Sequence, residues 1–240
     1  MKIIVAIPAR YESTRFPGKP LALLAGKPMI QHVVDRALAA EVGEVVVCTD
    51  DVRIAQAVDG AVVCMTSPDH QSGSDRISEM IEEYDCDLVI NVQGDEPLIQ
   101  AKAIRQVVQP LFQNDEIAMA TLAHPIHRQE ELDNPNVVKV VCDAQGNALY
   151  FSRAAIPYPR TRISSALRHI GLYAYRRDFL LSYAKLSSCA AEEAEQLEQL
   201  RVLYHGYKIA VSVGDFACQG VDTPQDLLVA EAALLANKRV

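Results

Sequence analysis

An α/β sandwich with a mixed, mostly parallel sheet is the fold this sequence predicts, and three observations predict it. Short apolar runs alternate with helical patterns through the first half of the 240 residues; those runs are apolar at every position; and after about residue 117 the texture changes to Val- and aromatic-rich segments separated by turn signals. A strand without a polar face is covered on both faces, as in a parallel sheet between helix layers, whereas the later segments suit antiparallel ribbon.

"IIVAI" (3–7) reads as the first strand and "PMIQHVVDRALAA" (28–40) as the amphipathic helix after it. "EVVVCT" (44–49), "AVVCM" (61–65) and "DLVINV" (87–92) read as further buried strands, with helices at "VRIAQAV" (52–58) and "DRISEMIEEY" (75–84). The order is Rossmann-like, and such sheets meet their ligands at the carboxyl ends of the strands. "IAMATLA" and "LRHIGLYAYR" continue the β pattern, and "VVKVVCDAQGNALYFS" (137–152) reads as a hairpin turning at Gly146 and Asn147. Together they suggest a β-rich lobe inserted into the sandwich. "YKIAVSVG" (207–214) is the last strand. "GVDTPQDLLVAEAALLAN" then closes the fold as a helix, with Thr223 as N-cap, Pro224 at the first helical position and Asp226 three residues on. We expect a single domain, with residues 1–123 and 207–240 as its core and about 124–206 as the lobe.

Half of the residues are apolar and 22% are charged, enough to bury a sizeable core. A net charge of -8 argues against a general nucleic-acid or membrane-surface binder, which needs a basic face. No apolar run approaches the roughly 20 residues that span a bilayer, and Met1-Lys2 leads into a strand without a cleavage site, so a cytoplasmic location is expected. The six cysteines are scattered without a CxxC pair and suggest neither zinc nor a disulfide framework. His124 and His127 have an HxxH spacing, but in a Pro-containing loop that does not suit a metal.

The chemistry begins in the loop after the first strand. Arg10, Arg15 and Lys19 crowd it, with Glu12 as its one acid. Neither phosphate fingerprint fits, because G-x-G-x-x-G is missing, Ser13 stands where a P-loop has its first Gly, and Pro20 follows Gly18-Lys19. Cations, the hydroxyls of Ser13 and Thr14, and backbone N–H groups still make it a fit for a polyphosphate. "VINVQGDEP" ends a buried strand with Asp95 and Glu96, and Asp222 stands before the last helix. These acids read either as hard-oxygen ligands for Mg²⁺ or as turn and helix-start residues. In "DHQSGSDR", Gly73 permits close backbone approach, Ser74 reads as a cap and Arg76 falls in the first turn.

"PARYESTRFPGKPL" (8–21) resembles the signature of the sugar-acid cytidylyltransferases, and in particular their octulosonate branch. "CMTSPDHQSGSDR" (64–76), "VINVQGDEPLI" (89–99), "NPNVVKVV" (134–141), "ALYFSRAAIPY" (148–158), "RHIGLYAYR" (168–176), "EQLEQLRVL" (195–203) and "GVDTPQDL" (220–227) are similar to blocks of that family in the same order. The resemblance implies a nucleotide-diphospho-sugar transferase sandwich whose inserted lobe serves acceptor binding and dimerisation. It implies that CTP reacts with 3-deoxy-D-manno-octulosonate (Kdo) to give CMP-Kdo and pyrophosphate for lipopolysaccharide synthesis, by in-line attack of the anomeric hydroxyl on the α-phosphate. The alternative acceptors are 8-amino-Kdo or another sialic-acid-like sugar.

The same resemblance implies roles by position. Arg10, Arg15, Lys19, Asp95 and Asp222 would be catalytic, the two acids holding Mg²⁺. Pro8, Ala9, Arg10, Ser13, Lys19, Thr66, Ser72, Gly73, Arg76 and Gln93 would bind CTP. Arg76, Gln93, Arg153, His169, Tyr173, Glu198 and Gln199 would bind Kdo, and a homodimer would form, for which the 137–152 ribbon offers a surface. "SSCAAEEAEQLEQLR" (187–201) departs from the family, with Cys189, Ala190 and Ala191 where a Pro-Leu-Glu step is usual, and the segment near "RTRISSALRH" is short. Both departures concern the acceptor side or the subunit contact.

Overall fold

The computed structural model describes residues 1–12, 16–70, 72–160, 166–216 and 220–237. The chain forms two compact units, Met1–Arg105 with Ala217–Val240, and Gln106–Phe216. The strands at 119–125 and 209–213, which the sequence reading groups with the core, therefore lie in the second unit.

The first unit opens with β1 (Ile3–Ala9), a 3-10 turn at Lys19–Leu21, and the short pair β2 (Leu23–Leu24) and β3 (Lys27–Pro28). α1 (Met29–Leu38), β4 (Glu44–Thr49), α2 (Val52–Gln56), β5 (Val62–Met65), α3 (Gly73–Glu82), β6 (Leu88–Asn91) and α4 (Ala101–Val107) follow. The strands stand in the order β6-β1-β4-β5 and all are parallel. Ile3 to Ile7 of β1 and all of β6 are buried, as their unbroken apolar sequences require. α3 is capped by Ser72, whose hydroxyl accepts from Asp75 N at 3.1 Å; the expected cap, Ser74, instead lies inside the helix and is buried. A serine two residues upstream was the better cap because its extended backbone aims the hydroxyl at the free N–H groups of the first turn.

The second unit contains α5 (Gln109–Gln113), β7 (Met119–Pro125), α6 (Gln129–Asp133), β8 (Lys139–Cys142), β9 (Ala148–Ser152) and β10 (Leu167–Arg176). α7 (Arg177–Tyr183), α8 (Ala190–Glu195), α9 (Gln199–Tyr204) and β11 (Ile209–Val213) complete it. β7 pairs antiparallel with β10 and parallel with β11, and β10, β8 and β9 pair antiparallel in turn. The expected hairpin turns where Gly146 has φ +81 and the Asp143 carboxylate accepts from Gln145 N and Asn147 N.

The chain returns to the first unit through α10 (Pro224–Asn237). Thr223 and Asp226 cap it reciprocally: the Thr223 hydroxyl accepts from Asp226 N at 3.2 Å and donates to Asp226 Oδ2 at 2.9 Å. Val221, Ala230 and Leu234 are buried with Leu24 and Met29, which seats this helix on β2 and α1. Burying a side chain such as Val221 stabilises by about 2 kcal/mol. No described helix is long and apolar enough to cross a membrane.

Candidate active site

Four parallel strands end along one edge of the first unit, and the residue that follows each supplies part of the site. β1 leads to Pro8, buried Ala9 and exposed Arg10; β4 to Asp50; β5 to Thr66; and β6 to Gln93 and Asp95. The loop after β6 lies directly on the end of β1, because a Cβ on Gly94 would stand 2.7 Å from Pro8 O. Gly73 is similarly close, its Cβ position 3.1 Å from Pro8 Cγ. At Gly94 the close approach to main chain requires glycine, and at Gly73 a side chain would press on the proline ring.

Lys19, largely buried, donates to Asp95 Oδ2 at 2.7 Å and lies 3.5 Å from Asp222 Oδ1. The two acids, 127 positions apart in the sequence, also share a backbone link, Val221 N donating to Asp95 O at 2.9 Å. Asp222 is held at the helix start, its N–H donating to Asp226 Oδ2 at 3.1 Å. The donor chemistry fits a magnesium ion. Two hard carboxylate oxygens already converge on one cation, the Lys19 ammonium, and Mg²⁺ is held by one or two carboxylates with water and phosphate oxygens completing its shell. Among the described residues no larger cluster of metal ligands forms.

Arg76, which the sequence places in the first turn of this helix, is only 3% exposed. Its guanidinium donates to Asp50 Oδ2 at 2.7 Å and to the Thr66 hydroxyl, tying the ends of β4 and β5 together. Asp50 escaped the sequence reading, although an acid directly after a buried strand was a usable signal. Ser72 accepts a helix N–H and so keeps its own proton for a ligand. Gln93 Nε2 donates to Asn91 Oδ1 at 3.1 Å. Ser13 and Arg15 lie outside the described residues.

The second unit holds a cavity of about 220 Å³ lined by Met119, Tyr173, Tyr175, Tyr183 and the turn from Gln196 to Gln199. Three of the expected acceptor residues, Tyr173, Glu198 and Gln199, meet there. Gln199 is 4% exposed, and its Nε2 has no hydrogen-bond partner among the described residues, which leaves a buried donor for a ligand. Burial, with Glu198 nearby, raises the Tyr173 pKa, so the phenol stays protonated. His169 sits beside Tyr173, ring centroids 5.5 Å apart, and burial lowers its pKa to about 3, so the ring is neutral at pH 7.

Arg153 stands behind the cavity wall. Its guanidinium donates to Glu195 O at 2.7 Å, Pro135 O at 3.2 Å and Gln196 O at 3.4 Å. Glu195 in turn accepts from the Ser152 hydroxyl at 2.6 Å and Arg153 N at 2.8 Å, which hangs the turn on the end of β9. Lys139, fully buried, donates to the carbonyls of Asn134, Val137 and Arg153 at 3.0, 2.6 and 2.6 Å. Neither Glu195 nor Lys139 was singled out from the sequence, since their partners are up to 43 positions away. At the departure noted above, Cys189 is the buried residue before α8, and Glu192 makes a two-point ion pair with Arg201 at 2.8 and 2.5 Å. The shortened segment at 161–165 lies outside the described residues.

The family model for cytidylyltransferases matches residues 4–209. The chain is 49% identical over 243 residues to 3-deoxy-manno-octulosonate cytidylyltransferase of Pseudoalteromonas atlantica, covering 95% of this chain and 96% of that one. It is 50% identical over 249 residues to the enzyme of the same name from Yersinia enterocolitica, covering 98% and 99%. A solved structure of CMP:2-keto-3-deoxy-manno-octonic acid synthetase complexed with CTP superposes with a TM-score of 0.94 at 45% identity, over 99% of this chain and 100% of that one. That likeness bears out the α/β class with a mixed, mostly parallel central sheet. A 4-diphosphocytidyl-2C-methyl-D-erythritol synthase from Anaerococcus prevotii shares the fold, with a TM-score of 0.63 at 14% identity over 98% and 99% of the two chains.

Proposed function

The chain belongs to the cytidylyltransferase family, and from that membership we infer that it is a 3-deoxy-manno-octulosonate cytidylyltransferase, activating Kdo with CTP to give CMP-Kdo and pyrophosphate. The anomeric hydroxyl of the sugar acid attacks the α-phosphorus in line; the new P–O bond forms as the bond to pyrophosphate breaks, and the hydroxyl proton passes to solvent water. Charge grows on the leaving pyrophosphate, and Arg10, Arg15 and Lys19 are the cations that would answer it, Lys19 being already fixed by Asp95. Asp95 and Asp222 would hold Mg²⁺, which would supply charge neutralisation at the phosphates. Thr66, Ser72, Gly73, Arg76 and Gln93, with Pro8 and Ala9, form the nucleotide side of the site.

The acceptor needs donors and acceptors matched to its hydroxyls and a cation for its carboxylate. Gln199 Nε2 and the Tyr173 phenol donate and Glu198 and neutral His169 accept, while Arg153, expected from the sequence to meet the carboxylate, spends three of its five N–H groups on main-chain carbonyls and braces the turn that carries Glu198 and Gln199. The reading extends to a cytoplasmic homodimer. Leu149 and Tyr150 of β9, 61% and 38% exposed, support the ribbon as its contact, and light scattering on the eluting protein would read twice the chain mass.

The observation that carries the reading is the convergence of Asp95, Lys19 and Asp222 at the carboxyl edge of a parallel sheet. Pyrophosphate release from CTP and Mg²⁺, in parallel with Kdo, 8-amino-Kdo, sialic acid or no acceptor and repeated with UTP, tests it. Release with CTP and Kdo alone is expected. Release with only another acceptor would reassign the substrate, and no release in any tube would leave a nucleotide-binding module.

A further inference from the structure

We propose that Thr121 is a positioning residue for the acceptor sugar: it holds His169 as the Nε2–H tautomer, so that Nδ1 stands as an acceptor for a sugar hydroxyl. The proposal rests on the assignment of His169 to the acceptor site. Thr121, on β7, is 0% exposed. Its Oγ1 lies 3.0 Å from Ile170 O, 2.9 Å from Leu172 O and 3.0 Å from His169 Nε2. The two carbonyls can only accept, so the single hydroxyl proton belongs to them. What the oxygen presents to the imidazole is a lone pair, and Nε2 must then carry the hydrogen. The other tautomer would require the hydroxyl to turn its proton to the ring and leave two buried carbonyls without it. Nδ1 thus keeps its lone pair, and it has no hydrogen-bond partner among the described residues.

The same three contacts sit where the strand is irregular. Pairing passes from Ile170 opposite Leu122 to Tyr173 opposite Thr121, so Gly171 and Leu172 bulge from β10. Thr121 holds the carbonyls on either side of that bulge's glycine, and Tyr173, the first residue past it, lines the cavity. Phe151 meets the imidazole edge-on at 4.9 Å and packs against the ring that Thr121 orients. One hydroxyl therefore sets both the tautomer of the histidine and the place where the strand turns Tyr173 toward the acceptor.

Thr121→Val removes the hydroxyl at nearly constant shape and Thr121→Ser keeps it. Nitrogen-15 NMR of histidine-labelled protein, with His169 assigned by its absence in His169→Gln, reads the tautomer without turnover. The wild type and Thr121→Ser should show Nε2–H, and Thr121→Val should show a mixture or Nδ1–H. With Kdo varied at saturating CTP, Thr121→Val should raise the acceptor KM about tenfold, as expected when a site loses a matched hydroxyl contact, with kcat and the CTP KM within about twofold. Thr121→Ser should restore it. Thr121→Ala gives the same readings if the valine variant does not fold. An unaltered tautomer in Thr121→Val, alongside a raised acceptor KM in His169→Gln, overturns the role of Thr121 alone. An unchanged acceptor KM in His169→Gln overturns the acceptor assignment beneath it.

Discussion

The Lys19 ammonium and the Asp95 carboxylate lie 2.7 Å apart, so an ion pair ties the opening loop to the loop after β6. Exchanging Lys19 for Met should lower kcat for pyrophosphate release by about 100-fold or more, the size of loss that follows removal of one preorganised charge partner. Folding stability should change by only about 1 kcal/mol, because the pair is partly solvated. Steady-state rates and urea unfolding of the same preparation separate the two effects.

Asp95→Asn leaves the Lys19 contact as a hydrogen bond from the ammonium to an uncharged amide oxygen but halves the carboxylate set. The Mg²⁺ concentration giving half-maximal rate should rise about tenfold or more, since carboxylates are the ligands that distinguish this site from bulk water. A magnesium titration at fixed CTP and Kdo is the measurement, and an unchanged midpoint would remove Asp95 from the ligand set.

Gln199→Leu should separate binding from folding. The native amide nitrogen is buried without a partner, so its removal should leave apo stability within about 1 kcal/mol or raise it. The acceptor KM should nonetheless rise, by roughly 10- to 100-fold, while the CTP KM holds. Thermal melting without ligand and initial rates with each substrate varied would read this, and equal rises in both KM values would contradict it.

His169 binds its proton far less readily in the folded chain than a free histidine does, its pKa lowered by burial to about 3. Above about pH 6.5 it is neutral in both folded and unfolded chains and costs nothing. Between there and pH 3 the unfolded chain takes up a proton that the folded chain refuses, so stability falls with pH, by a few kcal/mol at most. Chemical denaturation from pH 7 to pH 4 should show a shallower loss in His169→Gln than in the wild type.

Lys139 is buried on three carbonyl oxygens, and burial lowers its pKa against the pull of Asp133 and Glu195. Lys139→Met fits the volume but leaves those carbonyls without their donor. A loss of about 2–3 kcal/mol is expected, the penalty for orphaned buried acceptors. Urea midpoints at constant m-value would measure it.

What could be read from the sequence was local. The unbroken apolar runs of β1, β4 and β6 announce parallel strands, and the Thr223-Pro224-Asp226 helix start has a chemistry that adjacent residues complete. So does the hairpin at Gly146. Ser72 displaced Ser74 as the cap because two serines in one turn offer the same chemistry, and only backbone geometry chooses between them. The acids Asp95 and Asp222 were visible as residues after a strand and before a helix, but not their meeting at Lys19. Arg76 shows the limit more plainly: the sequence places it in a first turn, but not its partners Asp50 and Thr66, which only the fold brings to it. Thr121, Lys139 and Glu195 left no mark, because their partners lie on other strands and turns and no periodicity records them.

Gly94 and Pro8 press main chain on main chain, and a contact of that kind has no adjustable part. Side-chain change at either position can break the reach of Asp95 but cannot retune it, so the nucleotide edge is a poor starting point for new chemistry. The turn from Gln196 to Gln199 is the opposite case. It hangs from Ser152 and Arg153 by bonds that Glu195 and one guanidinium make, and a library varied at those three positions, behind the wall rather than on it, is where a changed acceptor preference would be selected.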